Sequence, residues 1–147
     1  MTEAKATRQG YGDGLLEVGK SNPNVVVVDA DLGDSTKAEI FGKEFPDRYI
    51  TTGIAEQDMI GIAAGLAVSG KIPFASTFAI FSERAFEFVR NIISRNKINV
   101  KIAGSHAGIH TGEDGKSAQA IEDISIYRTL PNMIVIQPCD YIEAKKA

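Results

Sequence analysis

Val25-Val26-Val27-Val28-Asp29-Ala30-Asp31 is the stretch that decides the fold class. Four β-branched apolar residues in a row, with no polar alternation, describe a strand covered on both faces, and such strands belong to parallel sheets packed between helices. Upstream, a helix is predicted over Thr7–Ser21, weakened by Gly10, Gly12, Gly14 and Gly19 and stopped by Asn22-Pro23. Downstream the alternation continues. A short strand over residues 48–50 is followed by a helix over about 55–69 and a strand over 72–76. A helix then carries Phe81, Ala85, Phe88, Val89 and Ile92 on one stripe. A strand over 99–103, a loop over 104–118, a helix over about 119–130 and a final strand over 133–136 complete the pattern. Strands separated by helices require right-handed crossovers. The expected class is therefore α/β, a doubly wound, mainly parallel sheet with helices on both faces.

Composition narrows the function classes. The chain has 147 residues, 44% hydrophobic and 24% charged, which suits a single domain over 1–147 with a substantial core. A net charge of -3 offers no basic footprint for a nucleic-acid backbone. The single Cys139 excludes a disulfide framework and any CxxC metal site. No apolar run approaches the roughly 20 residues that span a bilayer, so no membrane partner is expected. Residues 1–8 lack the apolar core of a signal peptide, and the expected location is the cytoplasm. Residues 140–147 read as a helix just beginning, as in a piece of a longer protein or a subunit completed by another chain.

In a doubly wound sheet ligands bind beyond the carboxyl ends of the strands, so functional residues should follow strands. After the first strand, Asp29, Asp31 and Asp34 admit two readings: a magnesium site, or a turn whose side chains cap backbone amides, the second being preferred. After the second comes Gly53-Ile54-Ala55-Glu56-Gln57, opening a helix that is apolar nearly all round. The helix dipole favours an ionised Glu56 while apolar surroundings oppose it, which makes Glu56 the best acid/base candidate. Gly61 and Gly65 leave room for a close neighbour, either inside the domain or at a subunit interface. After the third strand, Phe78 and Phe81 are three apart; core packing is the ordinary reading and stacking on a flat ring the sharper one.

The fourth strand is followed by fifteen residues rich in glycine that hold both histidines, His106 and His110, a composition commoner in binding loops than in plain connections. Their four-residue spacing aligns metal ligands only on a helix, so a metal pair is a weak reading. Gly115-Lys116-Ser117 lacks the first glycine of a phosphate loop, and Gly104-Ser105-His106-Ala107-Gly108 has histidine where a nucleophilic serine would stand.

Gly53-Ile54-Ala55-Glu56-Gln57, Ser76-Thr77-Phe78-Ala79-Ile80-Phe81, Ser105-His106-Ala107-Gly108, Gly112-Glu113-Asp114-Gly115 and Pro131-Asn132-Met133 together resemble the pyrimidine-binding domain of transketolases, most closely the C-terminal subunit of split, two-gene forms. The resemblance runs from about Ala6 onward. It implies a thiamine diphosphate enzyme that moves a two-carbon ketol unit from a ketose phosphate to an aldose phosphate. It casts Glu56 as the carboxyl that bonds N1′ of the aminopyrimidine, Phe78 and Phe81 as the ring-stacking pair, and Asp31 as a further cofactor neighbour. It casts His106 as a catalytic and substrate-binding residue, with Asp114 at substrate hydroxyls and Arg8 and Ser35 at the substrate phosphate. Two features depart from the family. Ala118 stands where a histidine is general, and the chain lacks the family's fingerprint from GDG to paired asparagines. The diphosphate and its divalent metal (Mg or Ca) are therefore expected on a partner domain or subunit, with no metal held here and a homo-oligomer formed through the pyrimidine domain. The isolated domain is expected to be inactive. A deoxyxylulose-phosphate synthase, which shares the Gly-Ile-Ala-Glu-Gln run, and a non-catalytic assembly partner are the rival readings.

Overall fold

A computed structural model describes residues 4–147. Among them the sheet has four strands, β1 (Val25–Asp29), β2 (Tyr49–Thr51), β3 (Ile72–Phe78) and β4 (Lys101–Ser105), in the order β2-β1-β3-β4 and all parallel. The helices are α1 (Thr7–Ser21), α2 (Gly33–Thr36), α3 (Glu39–Glu44), α4 (Glu56–Val68), α5 (Ala79–Glu83), α6 (Phe86–Phe88), α7 (Asp123–Tyr127) and α8 (Tyr141–Lys146). The doubly wound α/β expectation holds.

β1 is buried along its whole length, and its alternate residues feed two cores. Val25 and Val27 join Leu15, Ala38 and Phe41 beneath α1 and α3, while Val28 joins Met59, Ile60, Ala63 and Ala64 of α4 on the other face. A period of two divided between two apolar layers produces a run with no polar alternation. Arg48 ties the first layer together. Its guanidinium donates to the carbonyls of Asn22 and Gly19 at 3.0 Å and of Val25 at 3.3 Å, and lies 3.8 Å from the Phe45 ring centroid.

α1 keeps its predicted length despite its glycines, because all four are packing sites: Gly12 meets Lys37 and Ile40, and Gly19 meets the Phe41 ring. A methyl at Gly10 or Gly14 would collide with the backbone of α8 at Tyr141 or Lys145. α8 is held there by Tyr141 Oη donating to Asp13 at 2.8 Å and by a Lys145–Glu17 ion pair at 2.7 Å. Its N-terminus is capped by Asp140, which accepts from the Glu143 amide at 2.8 Å, so the helix expected to begin at residue 140 is present.

The structure corrects several sequence expectations. Residues 133–136 form no strand: Ile134 is 85% exposed and Ile136 60%, and the ladder ends at β4. β-Branched residues make a strand only where an edge accepts them. Here the chain enters the segment through a turn pinned by Asn132 (φ 62), which donates to Ser94 O, and by Ser94 Oγ, which donates to Pro131 O. The helix expected over 119–130 shrinks to α7, because residues 119–120 are held by loop bonds between Ala120 and Gly108. The helix after β3 is broken into α5, α6 and a π-turn at Val89–Ser94. The fourth strand lies two residues further on than predicted, at Lys101–Ser105. α2 and α3 were not foreseen, being too short to show a helical period. They meet at Lys37 in the left-handed region (φ 69).

α4 is buried on one side only. Met59, Ile60, Ala63 and Ala64 face the core, whereas Gly61 and Gly65 have open space where a side chain would project, and Ile62 and Val68 are exposed. The two glycines therefore do not serve packing among the described residues. No helix among those residues is long and apolar enough to cross a membrane.

Candidate functional site

The ladder aligns the strand ends. Asp29 pairs with Thr51 and with Ser76, and Phe78 pairs with Ser105, so the segments leaving all four strands emerge along one edge of the sheet. Glu56, Asp31, Ser35, Phe78, Phe81 and His106 all stand on those segments.

The segment after β1 turns on Asp29. Asp29 is 2% exposed, and its carboxylate accepts from the Leu32 amide at 3.1 Å, with Tyr49 nearby. Burial pushes the carboxyl above the usual range, and the tyrosine and backbone donors pull it back. This bend carries Asp31 outward in the left-handed region (φ 62), exposed to solvent, while Asp34 pairs with Lys37 at 3.0 Å. The three aspartates diverge, which is the turn-capping arrangement and not a shared cation site. Beneath them Tyr11 Oη and Ser76 Oγ share a hydrogen bond at 2.5 Å, and burial raises the phenol.

The turn before α4 is held by Thr52, whose amide donates to Asp29 O at 2.9 Å and whose hydroxyl donates to Gly53 O at 3.2 Å. Gly53 takes φ 66, a conformation that costs a glycine little. This turn delivers Glu56 to the first turn of α4, 3% exposed, with Oε2 buried and lacking any hydrogen-bond partner. Nε of Arg84 lies 3.8 Å from that oxygen. A buried carboxylate oxygen without a donor is costly, and such atoms persist where a ligand supplies the missing partner.

Phe78 and Phe81 lie parallel, their ring centroids 5.5 Å apart with 4° between planes. The His106 ring stacks on Phe78 at 3.9 Å. His106 takes the left-handed region (φ 57), and its Nδ1 shares a 2.7 Å hydrogen bond with Ser105 Oγ, which leaves Nε2 as the free ring nitrogen. Burial, with the nearby Arg8 charge, lowers the imidazole's pKa below its ordinary value, while Asp114 opposes the shift. The shift favours the neutral ring. Arg8 reaches across from α1 and donates to the Ser35 carbonyl at 3.3 Å, joining two residues 27 apart in sequence.

Three groupings result: Phe78, Phe81 and His106 in one aromatic stack; Arg8 with Ser35, in electrostatic reach of His106 along with Asp114; and Glu56 beside Arg84. His110 remains exposed in the loop, and no group of three or more His, Cys, Asp or Glu gathers among the described residues. The sequence assigned no role to Arg84 or Ser105. Arg84 stands three residues beyond Phe81, on the same face of a helical turn, and Ser105 adjoins His106, so their spacing carried the only signal.

Residues 3–147 match the family model described as transketolase, pyrimidine binding domain. A Methanocaldococcus jannaschii protein named as a transketolase C-terminal section is 56% identical over 142 residues, 96% of this chain and 45% of that protein. Human transketolase is 42% identical over 143 residues, 97% of this chain and 23% of its own. Among solved structures, a split-gene transketolase described as an inactive β4 tetramer superimposes with a TM-score of 0.84 at 53% identity, covering 97% of this chain and 46% of that one. Transketolase from Campylobacter jejuni superimposes with a TM-score of 0.87 at 34% identity, covering 98% and 23%. The chain thus spans less than half the length of these relatives, and it belongs to the transketolase family through its pyrimidine-binding domain.

Proposed function

We propose that this chain supplies the aminopyrimidine side of a thiamine diphosphate site in a transketolase, which transfers a two-carbon ketol unit from a ketose phosphate to an aldose phosphate. The observation that carries this reading is the buried, unpartnered Oε2 of Glu56 at the sheet edge that also presents the parallel Phe78–Phe81 pair. An orphaned carboxylate oxygen and a flat aromatic surface are the two features that a protonatable heteroaromatic ring requires, so the residues present fit that group.

Glu56 holds the ring nitrogen and exchanges a proton with it at Oε2. Phe81, backed by Phe78, orients the ring and excludes water. Asp31, on the segment after β1, is assigned to the cofactor as well. When bound, the cofactor supplies the acidic carbon on which the ketol unit is carried, and the protein supplies binding, orientation and a proton route. His106, its neutral form favoured and its Nε2 free, contacts the sugar as hydrogen-bond donor or acceptor, and Asp114 binds hydroxyls beside it. Arg8, pinned near Ser35, binds the substrate phosphate.

The diphosphate and its divalent metal are assigned to a partner domain or subunit, so the chain alone does not turn over. The open face of α4, with Gly61, Ile62 and Gly65, faces another copy or that partner. In the complete enzyme, Glu56→Gln is expected to abolish exchange of the cofactor's C2 proton, followed by NMR in deuterated water, without loss of the fold. Exchange close to the wild-type rate refutes the role given to Glu56.

A further inference from the structure

A carboxylate withdrawn from water needs a counter-charge, and the fold provides one that the proposed reaction has not used. Arg84 is the only cation within ion-pairing distance of Glu56 among the described residues, with Nε 3.8 Å from Oε2. Its backbone is fixed by the helix that carries Phe81, since the Arg84 amide donates to the Phe81 carbonyl at 3.1 Å. The two side chains differ sharply in environment: Arg84 is 69% exposed and Glu56 4%. At 3.8 Å the pair is too long for a good hydrogen bond, so the lone pairs of Oε2 remain untaken. The Coulomb attraction nevertheless reaches over that distance, screened by water at the exposed guanidinium and less so at the buried carboxylate. Charge is therefore compensated while the acceptor stays free.

We propose that Arg84 is a positioning residue for Glu56: it stabilises the carboxylate through space and leaves Oε2 open for the ring nitrogen. This rests on the reading of Glu56 given above. When the one proton shared between Oε2 and the bound ring's nitrogen sits on the ring, negative charge lies on the two carboxylate oxygens, and the guanidinium stabilises that distribution more than the one with the proton on Glu56. Arg84 donates no proton itself, because a guanidinium does not deprotonate in the working range. Lysine at this position preserves the charge, whereas methionine preserves only the length.

The test is a double-mutant cycle in the complete enzyme, reading thiamine diphosphate affinity by calorimetry with magnesium present, alongside kcat and sugar KM. Arg84→Met is expected to weaken cofactor binding about three- to fivefold and to lower kcat in parallel, with sugar KM unchanged. Arg84→Lys recovers affinity to within about twofold of wild type if charge is the agent. In a Glu56→Gln background, Arg84→Met changes affinity by less than about twofold, because its effect runs through the carboxylate. An unchanged affinity in Arg84→Met overturns the proposal, and so does an equal loss in both backgrounds, which would mean that Arg84 acts independently of Glu56. If Glu56→Gln itself leaves affinity and turnover at wild-type levels, the reading of Glu56 fails and the proposal falls with it. A failure of Arg84 alone leaves Glu56→Gln defective, so the two failures are told apart.

Discussion

Replacing Glu56 by methionine should make the cofactor-free protein more stable while destroying its function. The charged Oε2 is buried without a hydrogen bond, and leaving such a group unsatisfied costs about 3 kcal/mol. Methionine has nearly the same length and no polar atom to satisfy. Against that relief stand two losses. The carboxylate's interaction with the N-terminus of α4 is worth about 0.5 kcal/mol. The pair with Arg84, whose own side chain is largely in water, is worth at most about 1 kcal/mol. The balance favours the variant by roughly 1.5 kcal/mol, before any gain from added apolar burial. For a chain of this size that corresponds to a rise in Tm of roughly 3–6 °C, measured by thermal denaturation at neutral pH without cofactor. The same variant should bind thiamine diphosphate far more weakly in the complete enzyme. A fall in Tm of several degrees refutes the reasoning, because it would mean that the carboxylate is satisfied within the fold and is not kept for a ligand.

Two further predictions concern the scaffold. Burial, with Glu122 and Asp123 nearby, raises the Glu83 carboxyl from 4.5 to about 7. A raised carboxyl favours the folded state below its unfolded value, and that contribution is lost as pH rises through about 7. Wild type should thus lose about 1–2 kcal/mol relative to Glu83→Gln between pH 5 and 8, the full shift being discounted for partial exposure. Urea denaturation of both proteins at the two pH values measures the difference, and parallel pH dependences would refute it. Arg48→Met removes three hydrogen bonds to carbonyls of Gly19, Asn22 and Val25 and should cost about 2–4 kcal/mol in urea denaturation. Arg48→Lys should recover little, since an ammonium cannot reproduce the guanidinium fork, and full recovery would show that charge alone suffices.

Much of the architecture was legible from one segment, because the unbroken apolar run at Val25–Asp29 could be satisfied only between two covered faces. The wide α1 and the entry to α4 were likewise readable, since Asn22-Pro23 and Gly53 punctuate the chain locally. Residues 133–136 misled for the opposite reason: their composition suits a strand, but pairing depends on an edge that the sequence does not display. The short α2 and α3 escaped notice because helices of 4 and 6 residues carry too little period, and each is placed by a buried residue, Thr36 in α2 and Phe41 in α3.

The site divides in the same way. Residue types and their order along the chain singled out Glu56, Phe78, Phe81, His106 and the positions around them, since each follows a strand and a sheet edge gathers such positions. Whether a carboxylate is orphaned, which ring lies parallel to which, and which cation stands over Glu56 were decided only in three dimensions. Burial, ring stacking and charge pairing depend on distances between segments far apart in the chain, and local spacing does not encode those distances. Arg84 is the plainest case: 28 residues separate it from Glu56 in sequence, and the packing of the helix after β3 beside the start of α4 brings them within 3.8 Å.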